Sequence, residues 1–321
     1  ETTSDGSNDD SEGVNKETVL VLANGYTETD FRAIGYEKWA ELVNERSGGS
    51  IKIKIHPGGT LVTFPEGYDA VATGTVDMFA NISLYMSPQI SELKVLDPVA
   101  VYDITQWIEL NEAVTPLLDE ILKEHNMKFL HMDYQGSTTV VSTTPEPLIH
   151  PSDWKGIRFR DAGPDLGKVI SHLGGSSTTI PLEELPTAIS NGVVDAVLQG
   201  FSFIKSMGYY EFMDSIALLP NTSNSFGLLT INLDTWNGLS SEQQQILIET
   251  GNEILPVYED LGKDAYNEII ELMDDEGANY YILTSEEETE MNDAFQTFFE
   301  DIYESANDKG KELYDIVQQY R

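Results

Sequence analysis

Arg158 and Arg160 stand two residues apart in the segment WKGIRFRDAGPDLGKVISHLGGSSTTIPLEELPTAISNGVVDAVLQGF, Trp154 to Phe201. A guanidinium is a planar fork that grips a carboxylate through two parallel hydrogen bonds. The chain has only five arginines (Arg32, Arg46, Arg158, Arg160 and Arg321) among 55 acidic and 18 basic residues, for a formal charge of −37. A molecule of that charge repels an organic anion unless it gathers positive potential in one place, and two of its arginines share one strand. On residue type alone, each of them defaults to a structural ion pair with one of the many acids. Other chemistry finds less support. Cysteine is absent, which excludes disulfides, thiolate catalysis and cysteine metal sites. His56, His125, His131, His150 and His172 lack close ligand spacing, and Asp274-Asp275-Glu276-Gly277 lacks the alternating acids of an EF-hand loop. There is no nucleophile elbow, P-loop or GxGxxG. Paired acids occur throughout so acidic a chain and decide nothing about acid–base catalysis.

The elements that must position the arginines follow from pattern. Ile157 and Phe159 point to one face of a strand, Arg158 and Arg160 to the other. A helix is expected over 164–173, closed by Gly174-Gly175, then a short strand at Thr178-Thr179-Ile180. A helix over 182–190 and a buried strand over 193–198 complete the segment. Helices alternating with apolar strands predict a parallel sheet, whose ligands bind at the carboxyl ends of the strands. Arg160 falls at such an end.

Composition sets the bounds. A length of 321 residues, 40% of them hydrophobic, suits two domains with substantial cores. No apolar run is long enough to span a bilayer. The acidic balance argues against nucleic acid and against anionic lipid as partners. Dispersed acids such as Glu286–Glu290 read as a solvated, repulsive surface, suited to high salt or to an alkaline exterior. Residues 1–16 are polar and are expected to be a disordered linker after an export signal or lipid-anchored cysteine.

In chain order, 18–23 reads as a buried strand and Thr29 or Asp30 as the cap of a helix whose Tyr36, Trp39, Ala40 and Val43 share a face. Strands follow at 51–55 and 78–82, then a helix over 105–124 with Pro116 as a kink or boundary. Further strands are expected at 128–134, 138–142, 215–219, 226–233 and 280–283. From Ser240, which opens a capping signal, the chain is mostly helical. One long helix over 246–273 is expected to kink at Pro256. A final helix carries Phe295, Phe298, Phe299 and Ile302 as a core stripe.

The segment 154–201 resembles the DctP-type substrate-binding proteins of tripartite ATP-independent periplasmic (TRAP) transporters. The resemblance rests on Trp154, Gly156, Ile157, Arg158, Phe159 and Arg160, then Pro181 and Leu182, then Asn191-Gly192-Val193-Val194-Asp195-Ala196 and Gln199. Leu61, Glu66, Gly74, Val76 and Asp77 fill the corresponding places of the family's first domain, so the likeness runs from about Thr18 to the C-terminus. It implies an α/β, two-domain, periplasmic-binding-protein-like (Venus flytrap) fold with crossover strands and a long helix spanning both domains. Domain 1 is expected over 17–137 and domain 2 over 138–225. Residues 226–321 would supply a return strand, the spanning helix and the C-terminal helices.

The resemblance also implies a function: an extracytoplasmic solute-binding protein, not an enzyme, that captures a small organic acid in an interdomain cleft. It would pass the acid to the small and large TRAP membrane subunits. A monomer without cofactor or metal is expected, periplasmic or extracellular and lipid-anchored in one version. Leu198 stands near the place where some relatives keep a cation-binding acid. Arg160 takes the carboxylate-binding place, Gln199 that of an asparagine touching the acid, and Leu182 a pocket wall. Arg158 is read as outward or structural. Thr138 replaces a second arginine with which relatives hold dicarboxylates and sialic acid. This chain is therefore expected to take one essential carboxylate, as in 2-oxo, 2-hydroxy or aromatic acids. Tyr26, Asn81, Tyr85, Tyr134 and Phe226 would meet the rest of the ligand, though each alone reads more readily as structural. C4-dicarboxylate binding, a sensor partner, and an enzyme on a similar scaffold stand as alternatives.

Overall fold

A computed structural model describes residues 17–96, 103–181, 184–223 and 225–320. The leading polar segment falls outside this set. Strands β1 (Thr18–Asn24), β2 (Ile51–His56), β3 (Met78–Ile82) and β4 (Met127–Asp133) belong to a first sheet. The chain then passes to a second sheet through β5 (Thr138–Ser142), β6 (Arg158–Asp161), β7 (Ser176–Thr179), β8 (Ala196–Gly200) and β9 (Ser215–Leu219). β10 (Gly227–Asn232) returns to the first sheet and β11 (Tyr280–Ile282) to the second. The orders are β2-β1-β3-β10-β4 and β11-β9-β5-β8-β6-β7. β10 lies antiparallel between β3 and β4, as expected for a returning strand. The second sheet is mixed rather than parallel. β5 enters from the first sheet without a helical crossover and runs antiparallel to both β8 and β9.

Each sheet carries the same local device. Gly74 and Gly192 adopt left-handed φ of 72° and 65°, which glycine reaches without a Cβ penalty. Three residues later stand Asp77 and Asp195. Asp77 Oδ2 accepts from the backbone N–H of Val21 on β1 at 2.8 Å, and Asp195 Oδ2 from that of Arg158 on β6 at 3.1 Å. The G-x-V-D motifs thus cap a neighbouring strand. The turn at Gly192 also delays β8, which begins at Ala196 rather than at the expected Val193, itself 47% exposed.

The Trp-x-Gly motif has an equally structural origin. Trp154 is fully buried and stacks on Phe159 at 4.4 Å, with Phe295 edge-on at 5.7 Å. The phenylalanine stripe of the Ser285–Ser305 helix thereby closes the second core. That helix is not the last, because Asp308–Val317 follows. The long helix is also two, Ser241–Glu253 and Leu255–Glu276. Pro256 lies in the first turn of the second, where its missing N–H costs nothing, so it starts a helix instead of kinking one. Ser240 and Gln243 form the expected capping box. Leu255–Glu276 packs on the Phe31–Arg46 helix of the first sheet and reaches Tyr209–Phe212 of the second.

Candidate functional site

A cavity of about 360 Å³ lies between the two lobes, and Arg160 forms part of its wall. Arg160 is 6% exposed, at the carboxyl end of β6. Its Nε donates to the carbonyl of Ile180 at 2.9 Å, which fixes the plane of the guanidinium. Among the described residues no carboxylate pairs with it. Its outer edge, the Nη1/Nη2 fork, therefore remains the part able to hold an anion end-on. Arg158, at the other end of the same strand, is half-exposed and pairs bidentately with Asp195, the structural role expected for it.

The facing wall belongs to the first lobe. Phe64 sits in a short turn, Phe64–Glu66, whose preceding Thr63 donates through both N–H and Oγ1 to Glu66 Oε2 at 3.0 and 2.6 Å. The family-matching Glu66 is thus the cap that places Phe64. The Phe64 ring stacks on Tyr85 at 5.6 Å and meets Tyr26 edge-on at 5.0 Å. It occupies the space that a Cβ on Gly25 would need, at 2.3 Å. Thr27, Thr63, Thr179 and Ser206 add hydroxyls to the lining, and Phe203 and Met207 add apolar surface.

Arg160, Tyr26 and Tyr85 come together here. Gln199 is buried behind the wall, where its Nε2 donates to Tyr209 Oη at 2.6 Å. Burial pushes the Tyr209 phenol up to about 12, while the Gln199 hydrogen bond and the Arg160 charge pull the other way. Gln199 and Tyr209 therefore sit within Arg160's field without lining the cavity. Thr138 is fully buried at the start of β5, and its Oγ1 has no partner among the described residues. Asn81 is buried in the first lobe and donates to Thr230 Oγ1 at 2.8 Å. Phe226 is a core residue whose carbonyl accepts from Ser83 N–H at 2.9 Å. Tyr134 lines a different cavity, on the face where the Leu255–Glu276 helix passes. Leu182 lies outside the described residues. Sequence reasoning missed Phe64, Thr179 and Phe203: Phe64 lies in a short turn and Phe203 opens a one-turn helix, both too short for periodicity to show a direction, and Thr179 is the last residue of β7.

It also missed Arg32, which is 2% exposed. Arg32 folds back on the helix cap, pairing with Asp30 through Nε–Oδ1 at 2.8 Å and Nη2–Oδ2 at 2.7 Å. It also donates to Gln135 Oε1 at 3.1 Å and, across to the second lobe, to Ser202 Oγ at 2.7 Å. Its guanidinium lies 4.1 Å over the Tyr26 ring. Burial alone would raise the Asp30 carboxyl, but the charge and hydrogen bonds of Arg32 outweigh it and hold Asp30 below its ordinary range. Asp30 and Arg160 are the charged residues of the described lining. With Asp30 neutralised by Arg32, the described lining presents one net positive charge.

Behind Tyr26, burial pushes Asp133 up to about 6, against the lowering effect of hydrogen bonds from Tyr36 and Gln135 and of the Arg32 charge. Burial pushes His131, two residues away on β4, down to about 4. The two shifts have opposite consequences for stability. Between pH 6.5 and 4 the unfolded chain protonates His131 and the native protein does not, so stability falls with falling pH. Between pH 6 and 3.8 the native protein protonates Asp133 first, so stability rises. Asp133→Asn removes only the second effect. Its stability relative to wild type, followed by urea denaturation, is expected to decline as pH falls from 6 to 4; a constant difference would refute this assignment.

Similarity to known proteins agrees with this geometry. The family model described as bacterial extracellular solute-binding protein, family 7 (DctP) matches residues 23–306. The chain belongs to this family. Among its relatives, the C4-dicarboxylate-binding protein DctB of Bacillus subtilis is 27% identical over 248 residues, covering 76% of this chain and 70% of the relative. The 2,3-diketo-L-gulonate-binding periplasmic protein YiaO of Escherichia coli is 23% identical over 296 residues, covering 91% and 89%. A TRAP periplasmic solute-binding protein from Desulfovibrio salexigens, solved with bound orotic acid, superposes with a TM-score of 0.84 at 21% identity, covering 95% of this chain and 98% of that one. The two-sheet architecture is accordingly the two-domain fold of TRAP solute-binding proteins. As a family 7 protein the chain is a solute-binding protein of an extracytoplasmic class. No helix among its described residues is long and apolar enough to cross a membrane. Nor do those residues contain a cluster of three or more side chains suited to a metal ion.

Proposed function

We propose that this family 7 protein captures a small monocarboxylate, with a ring or a 2-oxo or 2-hydroxy group beside the acid, and delivers it to TRAP membrane subunits. The observation that carries this reading is the buried Arg160, part of the wall of the interlobe cavity, its Nε held by the Ile180 carbonyl and no carboxylate paired with it among the described residues. A cationic side chain so enclosed gains most from an anionic ligand. One net charge in the lining suits one carboxylate, and Thr138 supplies no second cation. Phe64, Tyr85 and Tyr26 offer ring faces and edges to the body of the ligand, and the Thr27 and Ser206 hydroxyls offer hydrogen bonds, those of Thr63 and Thr179 already donating to Glu66 and Asp161. The orotic acid bound by the D. salexigens protein is a ring monocarboxylate of this kind. Contacts from both lobes let the ligand favour a closed arrangement to the extent that it binds that arrangement better.

The test is a thermal-shift screen of monocarboxylates and dicarboxylates, with mass spectrometry of whatever co-purifies. A ring-bearing or 2-oxo monocarboxylate at a hundred times its Kd is expected to stabilise by about 2.7 kcal/mol. Preference for a dicarboxylate, or a co-purified ligand without an acid group, would overturn the reading.

A further inference from the structure

Ser202 is the N-cap of the one-turn helix Phe203–Ser206, a position where serine normally accepts from the helix's own first N–H groups. No such capping bond forms here. The oxygen turns to the other lobe instead, where Ser202 Oγ accepts from Arg32 Nη2 at 2.7 Å. Both ends of this bond are built into walls of the Arg160 cleft. Phe203 and Ser206 of the short helix, with Met207 after it, line the cleft on the second lobe. On the first lobe Asp30 and Tyr26 line it, and Arg32 is fastened to both: Asp30 takes its Nε and Nη2, and its guanidinium covers the Tyr26 ring at 4.1 Å. Nη1 adds Gln135, in the passage from β4 to β5. Open space flanks the contact. Thr27, Asp30 and Ser206 line both the cleft and a neighbouring cavity of about 330 Å³, which Ser202 also lines. Beside it Phe31 of the first lobe stacks on Phe201 of the second at 5.6 Å, an apolar contact that tolerates sliding. The exposed Lys205–Glu268 pair at 3.3 Å contributes little. A charge-assisted hydrogen bond, by contrast, fixes both distance and direction.

We propose that the Arg32–Ser202 bond is a tie between the lobes that holds the two cleft walls at this spacing before solute arrives, which makes Ser202 a positioning residue for capture. At this spacing both walls border a single cavity of about 360 Å³, within the size range of small-ligand sites. Ser202 is absent from the described lining of that cavity, so it acts on capture through the walls rather than by touching the solute. Apparent affinity scales with the fraction of molecules whose walls are already in place. Losing the tie therefore weakens capture while every contact to the solute is kept. The inference rests on the family's solute-binding role and on the cleft's position between the lobes, whichever acid Arg160 receives.

The test uses the full chain without added solute. The chain has no cysteine, so Val19→Cys and Val193→Cys, both exposed and on different lobes, accept spin labels uniquely. In this background Ser202→Ala should raise the share of molecules outside the main label-to-label distance roughly three- to tenfold, the value of one hydrogen bond. The variant should fold as the wild type does, since Arg32 keeps Asp30 and Gln135 and no buried charge is stranded. Ser202→Thr, which keeps the hydroxyl, should restore the wild-type distribution. Arg160→Ala should leave that distribution unchanged, because the tie acts without a bound acid. A Ser202→Ala distribution that matches the wild type would overturn the proposal. So would an equally broad distribution with threonine, which would assign the effect to packing at the helix start. Broadening by Arg160→Ala to the extent seen with Ser202→Ala would also overturn it, by showing that trapped solute sets the spacing. In that case the function proposed above would stand while the tie failed.

Discussion

Arg160→Ala is expected to weaken binding of the cognate acid at least a hundredfold while leaving the fold intact. The loss is large because a bidentate, charge-assisted pair in an enclosed site is broken from one side, at about 3–5 kcal/mol. The fold is spared for a separate reason. Among the described residues Arg160 makes one hydrogen bond, to the Ile180 carbonyl, and has no acidic partner. Truncation therefore strands no buried carboxylate, and the unliganded variant should unfold at or slightly above the wild-type temperature. Arg160→Lys should recover only part of the affinity, since a point charge cannot reproduce the planar fork. Calorimetric titration with the acid found by screening, beside thermal unfolding of each variant without it, checks both halves. An affinity within threefold of wild type would remove Arg160 from the site.

Arg32→Ala is expected to have the reverse profile, a large loss of stability. Arg32 neutralises Asp30 in an environment where both side chains are less than a tenth exposed. Its removal leaves a buried carboxylate unpaired and takes the donors from Gln135 and Ser202. Breaking a buried pair in this way costs about 3–5 kcal/mol, which for a chain of this size lowers the unfolding midpoint by roughly 5–7 °C. Asp30→Asn combined with Arg32→Met removes both charges and should be less damaging than Arg32→Ala alone, because no buried charge is left behind. Urea denaturation of the three proteins decides it. An Arg32→Ala variant within 1 kcal/mol of wild type would mean that solvent, not Arg32, stabilises Asp30.

Arg32 also shows where reading the chain stops. Its place in the first turn of a helix is legible, since Asp30 caps that helix. Its burial is not, because the surface that covers it comes from Gln135 and Ser202, more than a hundred residues away. The same limit explains Tyr134. As an aromatic residue just past a strand it qualified for the cleft, but the Leu255–Glu276 helix, contributed from far along the chain, decides which cavity it faces. Pro256 and Gly192 were recognisable as punctuation. Whether a proline bends or begins a helix, and whether a strand starts before or after its turn, depended on packing around them.

By itself the chain determined which residue types recur at which intervals: Trp154 before its glycine, paired G-x-V-D turns, alternating strands, and an arginine at the carboxyl end of one of them. These are local, because backbone geometry and side-chain period act over a few residues. Tertiary structure alone decided that Arg160 has no carboxylate partner among the described residues while Arg32 and Arg158 are paired, that Phe64 faces it across a cavity, and that Arg32 reaches Ser202 on the other lobe. Pairing, burial and enclosure are relations between segments distant in sequence. They are settled only when the whole chain competes for the same space.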